Sequence, residues 1–248
     1  MSYSYTLADP IGTRATLGLV TLQTDETIEH DFRRLLPSEG VSLYVSRVPS
    51  GLEVTGDTLA EMAKTLPAAA GLFPRATAFD VVGYGCTSGT SVIGPARIAS
   101  LVSGACQTRE VTEPVSALLA AARHLGVGRM AFLSPYIEAV SGTLRGVLAE
   151  GGLSAAVFGS FDEAEEAKVA RIAPASIAAA AIDLGAVAEA DCVFLSCTNL
   201  RTLDVIAEIE EALGKPVLSS NQVLAWDMAR RAGLSLSHAG MGRLLSGT

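Results

Sequence analysis

Seven short apolar runs recur along the chain, each followed by a stretch with helical periodicity. The runs are ATLGLVTL, VSLYVSRVP, FDVVGYG, RMAFLSPY, LSAAVFGSF, DCVFLSC and KPVLSS. Between them lie TIEHDFRRLLP, GDTLAEMAKTLPAAAGLF, a helix opening after Cys86, VTEPVSALLAAARHLGV, EAVSGTLRGVLAEGG, PASIAAAAIDLGAVAEA and TLDVIAEIEEALG, with NQVLAWDMARRAG closing the series. Asp57 is the expected N-cap of the second helix, and Pro114 and Gly126 bracket a later one. Strand–helix alternation predicts an α/β protein with parallel sheets covered on both faces. The runs are apolar throughout rather than at every second residue, as strands buried on both sides should be.

In such sheets ligands bind beyond the carboxyl ends of the strands. Four strand ends carry reactive or polar groups: Asp25 in LQTDE, Cys86 in GYGCTSG, Tyr136 in SPY, and Cys197 in SCTN. Cys86-Thr87-Ser88 and Cys197-Thr198-Asn199 sit at equivalent places in two strand–helix successions. This repetition predicts two similar, pseudo-symmetric lobes facing each other. The expected first lobe is 1–112 plus about 215–248, the second 113–214. On this reading the last strand and helix return to the first lobe.

Bulk properties narrow the function. The net charge of −8 and the lack of a basic stripe interleaved with aromatics argue against nucleic-acid binding. No run approaches the about 20 apolar residues of a membrane span. The opening MSYSYTLADPIG has no signal-peptide pattern, so a cytoplasmic location is expected. The four cysteines, Cys86, Cys106, Cys192 and Cys197, fit no zinc spacing, and the three histidines do not cluster, so no metal is expected. The glycines of GYGCTSG match neither GxGxxG nor a Walker sequence, so no nucleotide cofactor is expected either.

A thiol becomes a nucleophile or base only as a thiolate, which a helix N-terminus stabilises. Cys86 and Cys197 each end a strand and precede a helix, so each is a candidate catalytic group. Two thiols facing one carbon form a two-base device; alternatively, one adds to a double bond while the other acts as acid. Thr87, Ser88, Thr198, Asn199 and neighbouring amides are candidates to hold a carboxylate or enolate. Buried cysteines also simply pack, and Cys106 and Cys192 are read that way. Tyr136 suits a substrate oxygen or plain packing, and Asp25 suits a ligand contact or the cap of the helix after it.

GYGCTSGTSVIG, SPY and SCTNLRTLDVIAEIEEALGKPVLSSNQVLAWDMARRAGL resemble the maleate cis-trans isomerase and arylmalonate decarboxylase family of the aspartate/glutamate racemase superfamily. The opening LGLVTLQTDETIEHDFRRLLP is similar to a subgroup named for ectoine utilization. The resemblance covers nearly the whole chain. It implies two Rossmann-like lobes, a cleft site, no cofactor, and a homo-oligomer as a plausible assembly. It implies Cys86 as nucleophile and Cys197 as proton donor in an isomerase, or both as proton carriers in a racemase. Thr87, Ser88 and Tyr136 would hold the carboxylate. Decarboxylases of the family keep only the thiol matching Cys197, so the presence of both departs from that pattern. Asp25 stands where maleate isomerases carry a carboxylate-binding Asn, which places maleate itself in doubt and suits a cationic group on the substrate. The expected function is therefore a cofactor-independent isomerase or racemase of a small carboxylate. The alternatives are a lyase, in ectoine-type catabolism, and a ligand-binding protein without turnover.

Overall fold

A computed structural model describes residues 1–246. Its strands are β1 (Ala15–Leu22), β2 (Val41–Val48), β3 (Phe79–Gly85), β4 (Thr108–Thr112), β5 (Arg129–Ser134), β6 (Ser154–Ser160), β7 (Cys192–Leu195) and β8 (Val217–Ser219). The helices are α1 (Ile28–Leu35), α2 (Gly56–Ala70), α3 (Thr87–Ile93), α4 (Pro95–Ser103), α5 (Pro114–Leu125), α6 (Glu138–Glu150), α7 (Glu166–Val169), α8 (Pro174–Gly185), α9 (Ile206–Leu213) and α10 (Ser220–Arg231). The strands form two four-stranded parallel sheets, ordered β2-β1-β3-β4 and β6-β5-β7-β8. The second order repeats the first, strand for strand. The chain is thus an α/β protein of two similar lobes.

In each sheet the order turns back between its first and third strands, and there the loops leaving adjacent strand ends separate. Those strands are β1 and β3 in one sheet, β5 and β7 in the other. Asp25, Cys86, Tyr136 and Cys197 follow these four strands. Burial matches the topology. β7 is buried at every residue, whereas the edge strand β6 is half-exposed along most of its length.

The final strand and helix part company. β8 pairs with β7 and therefore belongs to the second sheet, contrary to the expected return of this strand to the first lobe. The helix after it, α10, does cross back and packs on β3 and β4. Gly83 permits this approach: a Cβ there would lie 2.4 Å from the Met228 sulfur. β4, TREVT, was not expected as a strand. It is a polar edge with no apolar run to announce it. The N-cap of α2 is Thr55 rather than Asp57, with reciprocal bonds to Thr58.

A buried carboxylate anchors α10. Asp227 accepts from the Thr112 hydroxyl at 2.6 Å, from Arg230 at 2.6 Å and from Arg231 Nε at 2.6 Å. Those donors hold its pKa below the usual carboxylate value against the effect of burial. Asp227→Ala leaves the Thr112 hydroxyl buried without its partner, while the two half-exposed arginines regain water. The expected loss is about 3 kcal/mol, the lower end for breaking a buried pair, or a fall in Tm of about 6–12 °C. Calorimetry checks it.

Candidate active site

The two sheets meet at their carboxyl ends around a cavity lined by Cys86, Thr87 and Ser88 from one lobe and Tyr136, Glu166, Cys197 and Thr198 from the other. Leu22, Val54 and Leu59 supply its apolar wall. The space inside is ≈ 10 Å³, about that of one water molecule. No Lys, Arg or His is among the lining residues.

Cys86 is the N-cap of α3, and its sulfur accepts from the Gly89 amide at 3.1 Å. Gly89 allows this seat, because a Cβ there would lie 2.8 Å from the sulfur and 2.7 Å from the Tyr84 hydroxyl. Burial, with the nearby Glu166 and Asp25 charges, outweighs the amide and pushes the thiol up to about 12. The helix end therefore orients Cys86 without ionising it.

Cys197 is built differently. No helix follows it directly: α9 begins only at Ile206, so the expected helix N-terminus is missing here. Its backbone sits at φ 106°, a left-handed conformation that strains a side-chain-bearing residue. The strained turn aims the sulfur at the Tyr136 hydroxyl, 3.0 Å away, while the Asn199 amide lies 3.3 Å from it. Burial, then the charge of Glu166, raises this thiol well above its ordinary value.

The two strand-end loops are tied together. Ser220, at the start of α10, accepts from the Thr87 hydroxyl at 2.8 Å and from the Cys197 amide at 3.0 Å. Tyr136 is fixed through its carbonyl, which accepts from Ser141 and Ser160 at 3.0 and 2.6 Å.

Two of the residues read from the sequence do not line the cavity. Asn199 lies behind it, accepting from the Glu26 amide at 2.8 Å and donating to Glu166 at 2.6 Å. Asp25 also lies behind. One of its oxygens caps α1, accepting from Thr27 and Ile28 at 2.8 Å each. The other is buried without a hydrogen-bond partner, although the Thr198 hydroxyl is near enough to oppose the rise in its pKa. Burial dominates, so Asp25 titrates above the ordinary carboxylate value. Cys106 is half-buried beneath α4, and Cys192 is buried within β7, away from this cavity.

Glu166 escaped the sequence reading. It opens α7 in the acid-rich stretch FDEAEEAKV, which looks like a solvated charge run. Yet it is only 2% exposed, donates its amide to Leu52 at 3.1 Å, and places its carboxylate 2.5 Å from the Tyr136 hydroxyl. Val54 donates to Ala164 at 3.2 Å beside it, and Glu53 pairs with Glu165 in an antiparallel bridge. Together these contacts form a backbone clasp from lobe to lobe that roofs the cavity. Arg171 reinforces it with two bonds to Glu26, at 2.8 and 3.1 Å. Among the described residues no group of three or more His, Cys, Asp or Glu is placed to hold a metal, and no helix is long and apolar enough to cross a membrane.

Comparisons with known proteins agree with this architecture. Over 246 residues the chain is 25% identical to a maleate isomerase of Geobacillus stearothermophilus, covering 93% of this chain and 97% of that one. It is 36% identical over 135 residues to an arylmalonate decarboxylase of Bordetella bronchiseptica, a match spanning 52% of this chain and about half, 55%, of the relative. Its fold matches that of a variant of the Nocardia farcinica maleate cis-trans isomerase with a covalently bound succinylcysteine intermediate. The TM-score is 0.81 at 24% identity, over 93% of this chain and 98% of the other. The arylmalonate decarboxylase family model matches residues 100–245, more than half of the chain and the part that holds Tyr136, Glu166 and Cys197. The chain therefore belongs to the family that contains the arylmalonate decarboxylases and the maleate isomerases.

Proposed function

We propose that this protein is a cofactor-independent isomerase or racemase of a small carboxylate, with Cys86 and Cys197 as its reacting groups. The observation that carries the reading is that two thiols from equivalent strands of the two lobes line one water-poor cavity. Either thiol can then address one face of a substrate carbon. In the isomerase version the Cys86 thiolate adds to one alkene carbon and Cys197 protonates the other. Rotation about the resulting single bond and elimination then give the trans product. In the racemase version one thiol removes the α-proton and the other returns one. The covalent succinylcysteine of the Nocardia farcinica relative supports the first version. Thr87, Ser88, Tyr136 and Thr198 line the space in which the substrate carboxylate or enediolate would sit.

One buried carboxylate, Glu166, lines this space and a second, Asp25, lies behind it, with no cation among the lining residues. That charge pattern supports a substrate carrying a cationic nitrogen, such as an amino acid or a cyclic amidine, over a bare dicarboxylate. A lyase is the second reading, favoured by the stronger local identity to an arylmalonate decarboxylase.

The test incubates the protein in D2O with maleate, aspartate, glutamate, an arylmalonate, ectoine and hydroxyectoine, and follows product and C–H exchange by proton NMR. The expected result is exchange or isomerisation with a nitrogen-bearing member and little or none with maleate. Turnover of maleate alone sinks the cationic preference, and arylmalonate decarboxylation that survives Cys86→Ala favours the lyase.

A further inference from the structure

Cys197 and Cys86 differ in one respect that bears on how a buried thiol is ever ionised. Around Cys86 lie the Gly89 amide and Tyr84, whose hydroxyl points at the Met62 sulfur 3.7 Å away, and no carboxylate touches it. Cys197 instead ends a chain of contacts. Its sulfur is 3.0 Å from the Tyr136 oxygen, which is 2.5 Å from a Glu166 carboxylate oxygen. A phenol has one proton. An ionised carboxylate can only accept, so the phenol proton goes to Glu166 and the Cys197 S–H donates to the Tyr136 oxygen. The chain is therefore ordered S–H to O–H to carboxylate.

We propose that Glu166 is the proton acceptor for Cys197, reached through the Tyr136 hydroxyl. The S–H proton passes to the Tyr136 oxygen as the Tyr136 proton passes to Glu166. One S–H and one O–H bond break, and two O–H bonds form. The products are a thiolate, a neutral phenol and a neutral carboxylic acid. Charge is moved within the cavity and none is created. Loss of the thiol proton to water would instead add a further anion beside Glu166 and Asp25, in a space with almost no water. Three further features support this role. Burial holds Glu166 above the ordinary carboxylate value and so improves it as a base. Asn199 donates to its second oxygen at 2.6 Å and fixes its orientation. The titratable groups facing Cys197 are Glu166, Tyr136 and Asp25; those facing Glu166 are Tyr136 and Asp25, with Cys86 across the cavity. None of them is a cation. In this step Glu166 acts through Tyr136 and is a positioning residue for the thiol. The inference rests on Cys197 being the reactive thiol, but its test needs no turnover.

The experiment uses the full chain carrying Cys86→Ala. It measures alkylation of Cys197 by iodoacetamide, located by peptide mass, between about pH 6.5 and 8.5. With the proton held internally, the ratio of thiolate–acid to thiol–carboxylate does not depend on pH. The rate should change less than about threefold across the range. In Glu166→Gln the proton must leave for solvent, so the rate should climb nearly tenfold per pH unit. A mere charge neighbour predicts something else: the same steep slope in both proteins, and faster alkylation in the Gln variant because a repelling charge is gone. That result, or a flat profile in both, overturns the proposal. If the Gln variant fails to fold, Tyr136→Phe decides, with a steep profile expected and a flat one overturning the relay. A flat parental profile that turns steep in the variant, in a protein that transforms no substrate, would sink the isomerase reading and leave the relay standing.

Discussion

Cys86→Ala and Cys197→Ala should each lower kcat/KM on the substrate identified by NMR by about 10²–10⁴-fold, with the fold intact. The two thiols serve consecutive halves of one event, so the double variant should be little worse than either single one. Neither sulfur is a major structural contact. Cys86 caps a seven-residue helix and Cys197 accepts one long amide bond, so Tm should move by only a few degrees. Stereochemistry adds a second readout. If each thiol serves one face, each variant should still wash a C–H into D2O from one enantiomer after it has lost the full interconversion. Full activity in Cys86→Ala would sink the two-thiol scheme and leave single-thiol chemistry through Cys197.

The second expectation concerns stability against pH. Asp31, on α1, is buried at the crossing with α10 and accepts from the Asn221 side chain at 2.8 Å. Burial, helped by the Asp25 and Asp204 charges, pushes its pKa up to about 7 against the Asn221 hydrogen bond and the Arg34 charge. The Asn221 carbonyl oxygen is buried without a partner. A protonated Asp31 has an O–H to offer it; an ionised one does not. The folded chain therefore holds a proton that the unfolded chain, titrating near 3.8, gives up earlier. This favours folding fully below about pH 4 and is lost as pH rises toward 7. About three pH units at about 1.4 kcal/mol each make about 4 kcal/mol. Asp31→Asn copies the neutral form and does not titrate. Its Tm should match the parent near pH 4 and exceed it increasingly up to pH 8. Parallel Tm curves for the two proteins would show that Asp31 is ionised in the fold at all these pH values.

The arrangement of strand and helix was legible because burial on both faces leaves an unbroken apolar run, as in FDVVG and DCVFL. Strand ends marked the candidate groups because a parallel sheet directs its loops to one edge. What escaped detection was nonlocal. The pairing of β8 with β7 leaves no trace in three residues, and the polar edge β4 has no apolar signature. Glu166 was invisible for a different reason. Its neighbours Glu163 and Glu165 are ordinary surface acids, and only the clasp to Leu52 turns this one inward. Of the two readings offered for Asp25, the structure displays the cap, with one oxygen on the Thr27 and Ile28 amides and the other buried behind the cavity.

The clasp also makes the width of the cavity depend on how the two lobes hold each other. A space of about one water's volume must widen before it takes a carboxylate substrate, and Val54 and Glu166, which line it, are the residues the clasp holds.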